Sequence, residues 1–217
     1  SAKLIERECV IAQGTLEGCT FAIENGIAFN IAGGTHHAFY DRGEAFCLLN
    51  DQAIAANYLL DNNLAQRILI VDLDVHQGNG TAALFQNNSS VFTFSVHCKA
   101  NYPFQKELSD LDIPLEDNTK DIAYLSILEE ALLNLLKNLQ PDFVFYLSGV
   151  DVLNEDKLGR LSLTLEGAKK RDEIVISACY ERNIPVQCSM GGGYAPDVNV
   201  IVEAHANTYR VAEDIHD

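Results

Sequence analysis

The stretch Arg67-Ile68-Leu69-Ile70-Val71-Asp72-Leu73-Asp74-Val75-His76-Gln77-Gly78-Asn79-Gly80 decides how this chain is read. The apolar run before Asp72 suits a strand buried on both faces, and such strands belong to parallel sheets covered by helices. Side chains two apart on extended backbone point the same way, so Asp72, Asp74 and His76 share one face at the strand's C-terminal end. Two carboxylates and an imidazole so placed make half of a metal site. Asp151, after the run Phe143-Val144-Phe145-Tyr146-Leu147, and the tandem pair His36-His37 after Gly33-Gly34 are fit to complete it. Together they point to metal-assisted hydrolysis.

The same alternation of short apolar runs with helix-period segments extends outward. Strands are expected at Ile27 to Ala32, Arg67 to Asp72, Val91 to Val96, Asp142 to Leu147 and Pro185 to Met190. Helices are expected at Asn50 to Asp61, Asp121 to Leu139, Thr164 to Glu181 and Asn199 to Val211, with another starting near Ser1. This pattern gives an α/β fold, a three-layer arrangement of a mostly parallel sheet flanked by helices. Leu125, Leu128, Leu132, Leu135, Leu136 and Leu139 form one apolar stripe that reads as core packing. The connection Cys98 to Lys120 reads as a long irregular loop.

With 217 residues, 47% of them hydrophobic, the chain suits a single domain over residues 1–217. No apolar run is long enough to span a bilayer and no signal peptide is visible, so a soluble, cytoplasmic protein is expected, or a nuclear one in a eukaryote. Six dispersed cysteines without a C-x-x-C pair read as buried free thiols of a reducing compartment. Fifteen Lys and Arg stand against 31 Asp and Glu, a formal net charge of −16. That balance disfavours direct nucleic-acid binding and suits either simple solubility or a cationic partner such as a basic peptide tail or a polyamine. A homo-oligomer stays compatible with the sequence.

Ligands of open α/β sheets bind outside the carboxyl ends of the strands. His36 and His37, Asp74 and His76, Asp151 and Tyr194 all fall at such ends, which helix capping alone does not explain. Asp74, His76 and Asp151 suit a catalytic Zn²⁺ with one position open for water. His36 and His37 would act as general base and acid, with Asp72 and Asn79 as the nearest orienting partners. Tyr194, on a Gly-rich turn, could donate a hydrogen bond to a developing oxyanion. His97 and His205 lie outside this pattern and read as locally paired polar residues of loop or helix.

These residues occur within ordered motifs: Gly33-Gly34-Thr35-His36-His37-Ala38, Ala45-Phe46-Cys47-Leu48-Leu49-Asn50-Asp51, Asp72 to Gly80, Ser148-Gly149-Val150-Asp151, Leu161-Ser162-Leu163-Thr164 and Gly191-Gly192-Gly193-Tyr194. In that order the chain resembles the zinc-dependent histone deacetylase superfamily, with its acetoin-utilisation and acetylpolyamine amidohydrolase relatives. Asp41-Arg42-Gly43, His76 to Gly80 and Tyr102-Pro103-Phe104 look most like class IV deacetylases and their bacterial relatives. The resemblance implies an arginase/deacetylase-like fold and removal of acetyl or longer acyl groups from lysine in proteins or peptides. It implies Asp74, His76 and Asp151 as zinc ligands, His36 and His37 as catalytic histidines and Tyr194 as the transition-state tyrosine. Phe46, Tyr102, Leu158, Ala45 and Gly192 match the acyl-lysine tunnel, and Asp72 and Ser95 match a structural K⁺ or Na⁺ site.

Departures also carry expectations. Ala45 stands where many members have Gly, implying a slightly tighter tunnel, and Asn79 replaces an aspartate seen in some members. Family domains ordinarily begin upstream of the position of Ser1, so the resemblance implies a domain incomplete at its N-terminus. The rival substrates are acetylpolyamines or other small N-acyl amides. A non-catalytic acyl-lysine binding module is the rival of another class. A binuclear manganese ureohydrolase would need further carboxylates where this chain has Gly78, Asn79 and Leu153.

Overall fold

The computed structural model describes residues 1–216. Six strands form one parallel sheet in the order β1-β6-β5-β2-β3-β4: β1 (Ile27–Asn30), β2 (Ile68–Asp72), β3 (Val91–Cys98), β4 (Leu111–Leu115), β5 (Phe143–Leu147) and β6 (Val186–Ser189). Six helices cover it: α1 (Ala2–Asn25), α2 (Asp51–Asp61), α3 (Asn79–Phe85), α4 (Asp121–Leu139), α5 (Leu165–Tyr180) and α6 (Val198–His216). This is the expected three-layer α/β architecture.

The layering follows from the period of two along the central strands. Leu69 and Val71 of β2, with Val144 and Tyr146 of β5, pack under Leu128, Leu132 and Leu136 of α4 and Val175 and Cys179 of α5. Ile68, Ile70, Phe143 and Phe145 point to the opposite face, against Cys19 and Ala22 of α1 and Ala55, Ala56 and Leu59 of α2. Every residue of β2 and β5 is buried, as strands covered on both sides must be. In α1 the buried positions Glu8, Ala12, Thr15, Cys19 and Ala22 follow the three-and-four spacing of one helix face. Asn50 and Thr164 cap α2 and α5 by accepting from Ala53 and Gly167 backbone N–H groups, so they precede the helices they were expected to begin.

Several boundaries differ from expectation. The segment Cys98 to Lys120 is not wholly irregular, for it contains β4, paired in parallel with β3 from Phe94↔Leu111 to Cys98↔Leu115. Asp112 and Pro114 hide that strand in the sequence, and its edge position is where a proline without an N–H is tolerated. The short helix α3 went unread because Gly78 precedes it and Gly80 lies in its first turn. β1 ends at Asn30 rather than Ala32, and α6 overruns Asn199 to Val211 at both ends. All six cysteines are free, five of them buried.

Beneath the strand ends lies a buried ion pair. The Arg171 guanidinium of α5 sits 2.8 Å from Asp172 and donates to the carbonyls of Gly149 at 2.6 Å and of Leu73 and Ser148 at 3.3 Å each. Asp172 accepts from the hydroxyls of Tyr146 and Thr208 at 2.5 and 2.7 Å. Arg171 is fully buried and therefore depends on this partner. Arg171→Met should cost about 3–5 kcal/mol, since it strands Asp172 without its counter-charge. Urea unfolding of the single variant and of Arg171→Met/Asp172→Leu checks this, with the double variant the more stable of the two.

Candidate metal and catalytic centre

The C-terminal ends of the strands open into a cavity of about 550 Å³ whose floor and walls include His36, His37, Asp74, His76, Asp151 and Tyr194. Loops after β1, β2, β5 and β6 therefore deliver the expected residues to one place. Phe46, Ala45, Tyr102, Leu158 and Gly192 line the same cavity. Phe46 lies toward solvent with its ring 5.9 Å from that of Tyr194. Ala45 adopts φ 50, a left-handed conformation that costs a Cβ-bearing residue and would cost glycine nothing.

One ligand atom each from Asp74, His76 and Asp151 lies within 4.8 Å of the others. His76 Nδ1 is 2.9 Å from Asp74 Oδ1 and 3.2 Å from Asp151 Oδ2. The Nδ1–H aims at Asp74, leaving the buried Asp151 Oδ2 with no aligned hydrogen-bond partner. The remaining oxygens are fixed by backbone: Asp74 Oδ2 accepts from Gly192 N at 3.0 Å and Asp151 Oδ1 from Val75 N at 2.9 Å. A side chain at position 192 would not fit, because a Cβ there would stand 2.4 Å from Asp151 Oδ2. Two buried carboxylates facing one imidazole, with an unsatisfied oxygen between them, form a donor set suited to a divalent cation. This is the one such cluster among the described residues.

Electrostatics divides these groups. Burial pushes the Asp151 carboxyl up and the nearby Asp74 charge adds to it. At Asp74 burial is outweighed by His36 and His76, which hold it well below the carboxylate range. Burial also opposes charge on His76, but the Asp151 and Asp74 carboxylates close to its Nδ1 raise it from 6.5 to about 10.

The tandem histidines differ although adjacent, their ring centroids 4.0 Å apart. His36 Nδ1 meets Asp72 Oδ2 at 2.7 Å, and Asp72 with Asp74 overcomes burial to lift the imidazole from 6.5 to about 9. His37 Nδ1 instead meets Asn79 Oδ1 at 2.7 Å. Burial and the His36 charge depress it to about 3. One is thus held protonated and the other neutral at pH 7. Tyr194 is kept in its neutral phenol form, burial and then the Asp74 charge raising its pKa.

Other expectations fall outside the cavity. Ser95 pairs in register with Asp72 across β2 and β3, and its Oγ lies 2.9 Å from His97 Nδ1. His97 is locally paired as expected, but on strand β3 rather than in a loop or helix. His205 is buried on α6. The ureohydrolase positions are engaged otherwise: Leu153 packs with Val150, Ala168 and Ala204, Asn79 holds His37, and a Cβ on Gly78 would meet Asp72 Oδ2 at 2.3 Å.

Comparison with known proteins agrees with this geometry. A family model described as the histone deacetylase domain matches residues 1–209. The chain belongs to the histone deacetylase family. It is 47% identical over its whole length to an uncharacterized protein of Picosynechococcus sp., covering 72% of that protein. It is 33% identical to histone deacetylase 2 of Arabidopsis thaliana, with 91% of this chain covering 52% of that one. The fold superposes on the crystal structure of an HDAC homolog from Aquifex aeolicus with a TM-score of 0.81 and 26% identity, covering 96% of this chain and 58% of that one. The chain thus spans about half the length of the curated deacetylases it matches. Among the described residues no helix is long and apolar enough to cross a membrane.

Three contributors around the family motifs escaped sequence reading. Glu44 contacts Asn79 and Tyr102, Asp156 accepts from Tyr194 N at 2.5 Å, and Asn101 joins the loop after β3 to Leu158 and Arg160. Each lies in a loop, where no periodicity marks it. The raised values at His36 and His76 set a pH dependence. Such groups contribute stability fully below their ordinary 6.5, and lose it as pH rises through about 9 and 10. The urea midpoint of the EDTA-treated chain should therefore fall from pH 6.5 to 10, less steeply in Asp72→Asn. A midpoint constant over that range would contradict the assignment.

Proposed function

We propose that this chain is the catalytic part of a zinc-dependent amidohydrolase that removes acetyl, or longer acyl, groups from lysine side chains of proteins or peptides. The observation that carries the proposal is the convergence of Asp74, His76 and Asp151, one buried oxygen left unpartnered, on the floor of a cavity walled by two histidines and a tyrosine. Family membership supports the same reaction class. Residues 1–217 are taken as a single domain. A structural K⁺ or Na⁺ beside Asp72 and Ser95 belongs to the same reading, supported by their register pairing.

Asp74, His76 and Asp151 would hold the zinc, which when bound lowers the pKa of water and polarises a carbonyl. His37, neutral and tied through Nδ1, takes a proton at Nε2 from the attacking water. His36, protonated beside Asp72, supplies positive charge and a proton toward the departing amine. The Tyr194 hydroxyl donates to the oxyanion that develops on the former carbonyl oxygen. Phe46, Tyr102 and Leu158 exclude water from the acyl-lysine stem, with Ala45 and Gly192 backbone alongside.

An acetylpolyamine or other small N-acyl amide is the second reading, favoured by the net charge of −16, which attracts any cationic substrate. Hydrolysis of fluorogenic acetyl-lysine peptide and of acetylated polyamine by the purified chain separates the two. Asp151→Asn should lose bound zinc. His37→Ala should keep it while kcat drops by about 10²–10⁴, and Tyr194→Phe should lower kcat by about 10²–10³. Equal zinc loss in Asp151→Asn and His37→Ala would contradict these roles. Zinc binding with no chelator-sensitive hydrolysis of any acyl length would favour a non-catalytic acyl-lysine binding module.

A further inference from the structure

Glu44 performs no step of the proposed reaction, yet it holds both groups that flank His37. Its Oε1 accepts from Asn79 Nδ2 at 2.7 Å and from the Tyr102 hydroxyl at 2.5 Å, while Arg42 Nε approaches Oε2 at 3.4 Å. The Tyr102 hydroxyl, against the opposing effect of burial and with help from Asn79 and Arg42, lowers the Glu44 pKa. Glu44 is therefore an ionised carboxylate that only accepts.

That fact propagates along the chain of contacts. The Asn79 atom facing Glu44 must be its NH₂, so the atom facing His37 is Oδ1. An amide oxygen also only accepts, so His37 Nδ1, 2.7 Å away, carries the ring hydrogen. The hydrogen-free nitrogen of the neutral ring is then Nε2. Rotating the Asn79 amide by half a turn would reverse everything, placing NH₂ against Nδ1 and moving the hydrogen to Nε2. Only the carboxylate behind Asn79 distinguishes the two orientations. The same oxygen anchors Tyr102, whose ring stands edge-on to His37 with centroids 5.1 Å apart.

We infer that Glu44 is a positioning residue that sets the His37 tautomer through the Asn79 amide and fixes the Tyr102 ring against the same imidazole. The consequence for turnover rests on the proposed role of His37 as proton acceptor, whereas the tautomer itself does not.

The test uses the full chain labelled with ¹⁵N at histidine, the His37 signals identified by their loss in His37→Ala. The parent should show hydrogen on Nδ1. Glu44→Ala should show averaged nitrogen shifts and a kcat on acetyl-lysine peptide at least about tenfold lower. Glu44→Gln, whose amide oxygen still accepts, should restore most of both. Asn79→Asp/Glu44→Ala should restore the Nδ1–H form, because a carboxylate at position 79 presents no donor to His37. Unchanged His37 shifts in Glu44→Ala, or an equal kcat loss on removing Glu44 from the parent and from Asn79→Asp, would overturn the inference. If the parent hydrolyses no acyl-lysine, the proposed function fails while the nitrogen shifts still decide the role of Glu44.

Discussion

Asp74 and Asp151 place two carboxylates, both buried, around a single imidazole nitrogen of His76, and much of the structure depends on making that arrangement tolerable. Like charges so close inside a protein repel strongly, and desolvation adds its own cost. Positive charge must therefore come from somewhere. His76 and His36 supply part of it by staying protonated well above the ordinary imidazole range. The unpartnered Asp151 oxygen marks where more is called for.

The backbone meets the same demand from other directions. Gly192 brings its N–H to Asp74, and a methyl group there would collide with Asp151, so the Gly-rich turn is required by the carboxylates and not only by the turn. From below, Arg171 gathers the carbonyls of Leu73, Ser148 and Gly149, holding the ends of β2 and β5 in the arrangement that aims Asp74 and Asp151 at one point. The guanidinium fork suits this because it donates to several acceptors in one plane without losing its charge. Stability of the core and precision of the site are thus coupled through one buried side chain.

The fold was legible wherever burial is total. β2 and β5 are continuous apolar runs because helices cover both faces, and the leucine stripe of α4 declares the layer above them. The edge strand β4 and the loop contacts were not legible for the same reason. β4 is only partly buried and carries Asp112 and Pro114, so nothing in its pattern separates it from a loop. In the site, Asp74, His76 and Asp151 could be placed because each lies in the loop that follows a strand, and strand ends converge in a parallel sheet. Glu44 could not, since its relation to Asn79 spans 35 residues and depends on loop geometry rather than on any period.

The tandem histidines show why residue type alone does not assign chemistry. His36 and His37 are neighbours with similar burial, yet one is charged and the other neutral at pH 7. Burial opposes charge on both, but the Asp72 and Asp74 carboxylates overcome it at His36, whereas His37 faces an amide through Nδ1 and feels the His36 charge. An aspartate at position 79 would give both histidines the same partner and draw their pKa values together. Asn79 keeps them apart, and separated pKa values are what lets two like groups divide acid and base work. The charge that an aspartate would have brought sits one contact further out, at Glu44, where it orients the amide without standing directly against His37.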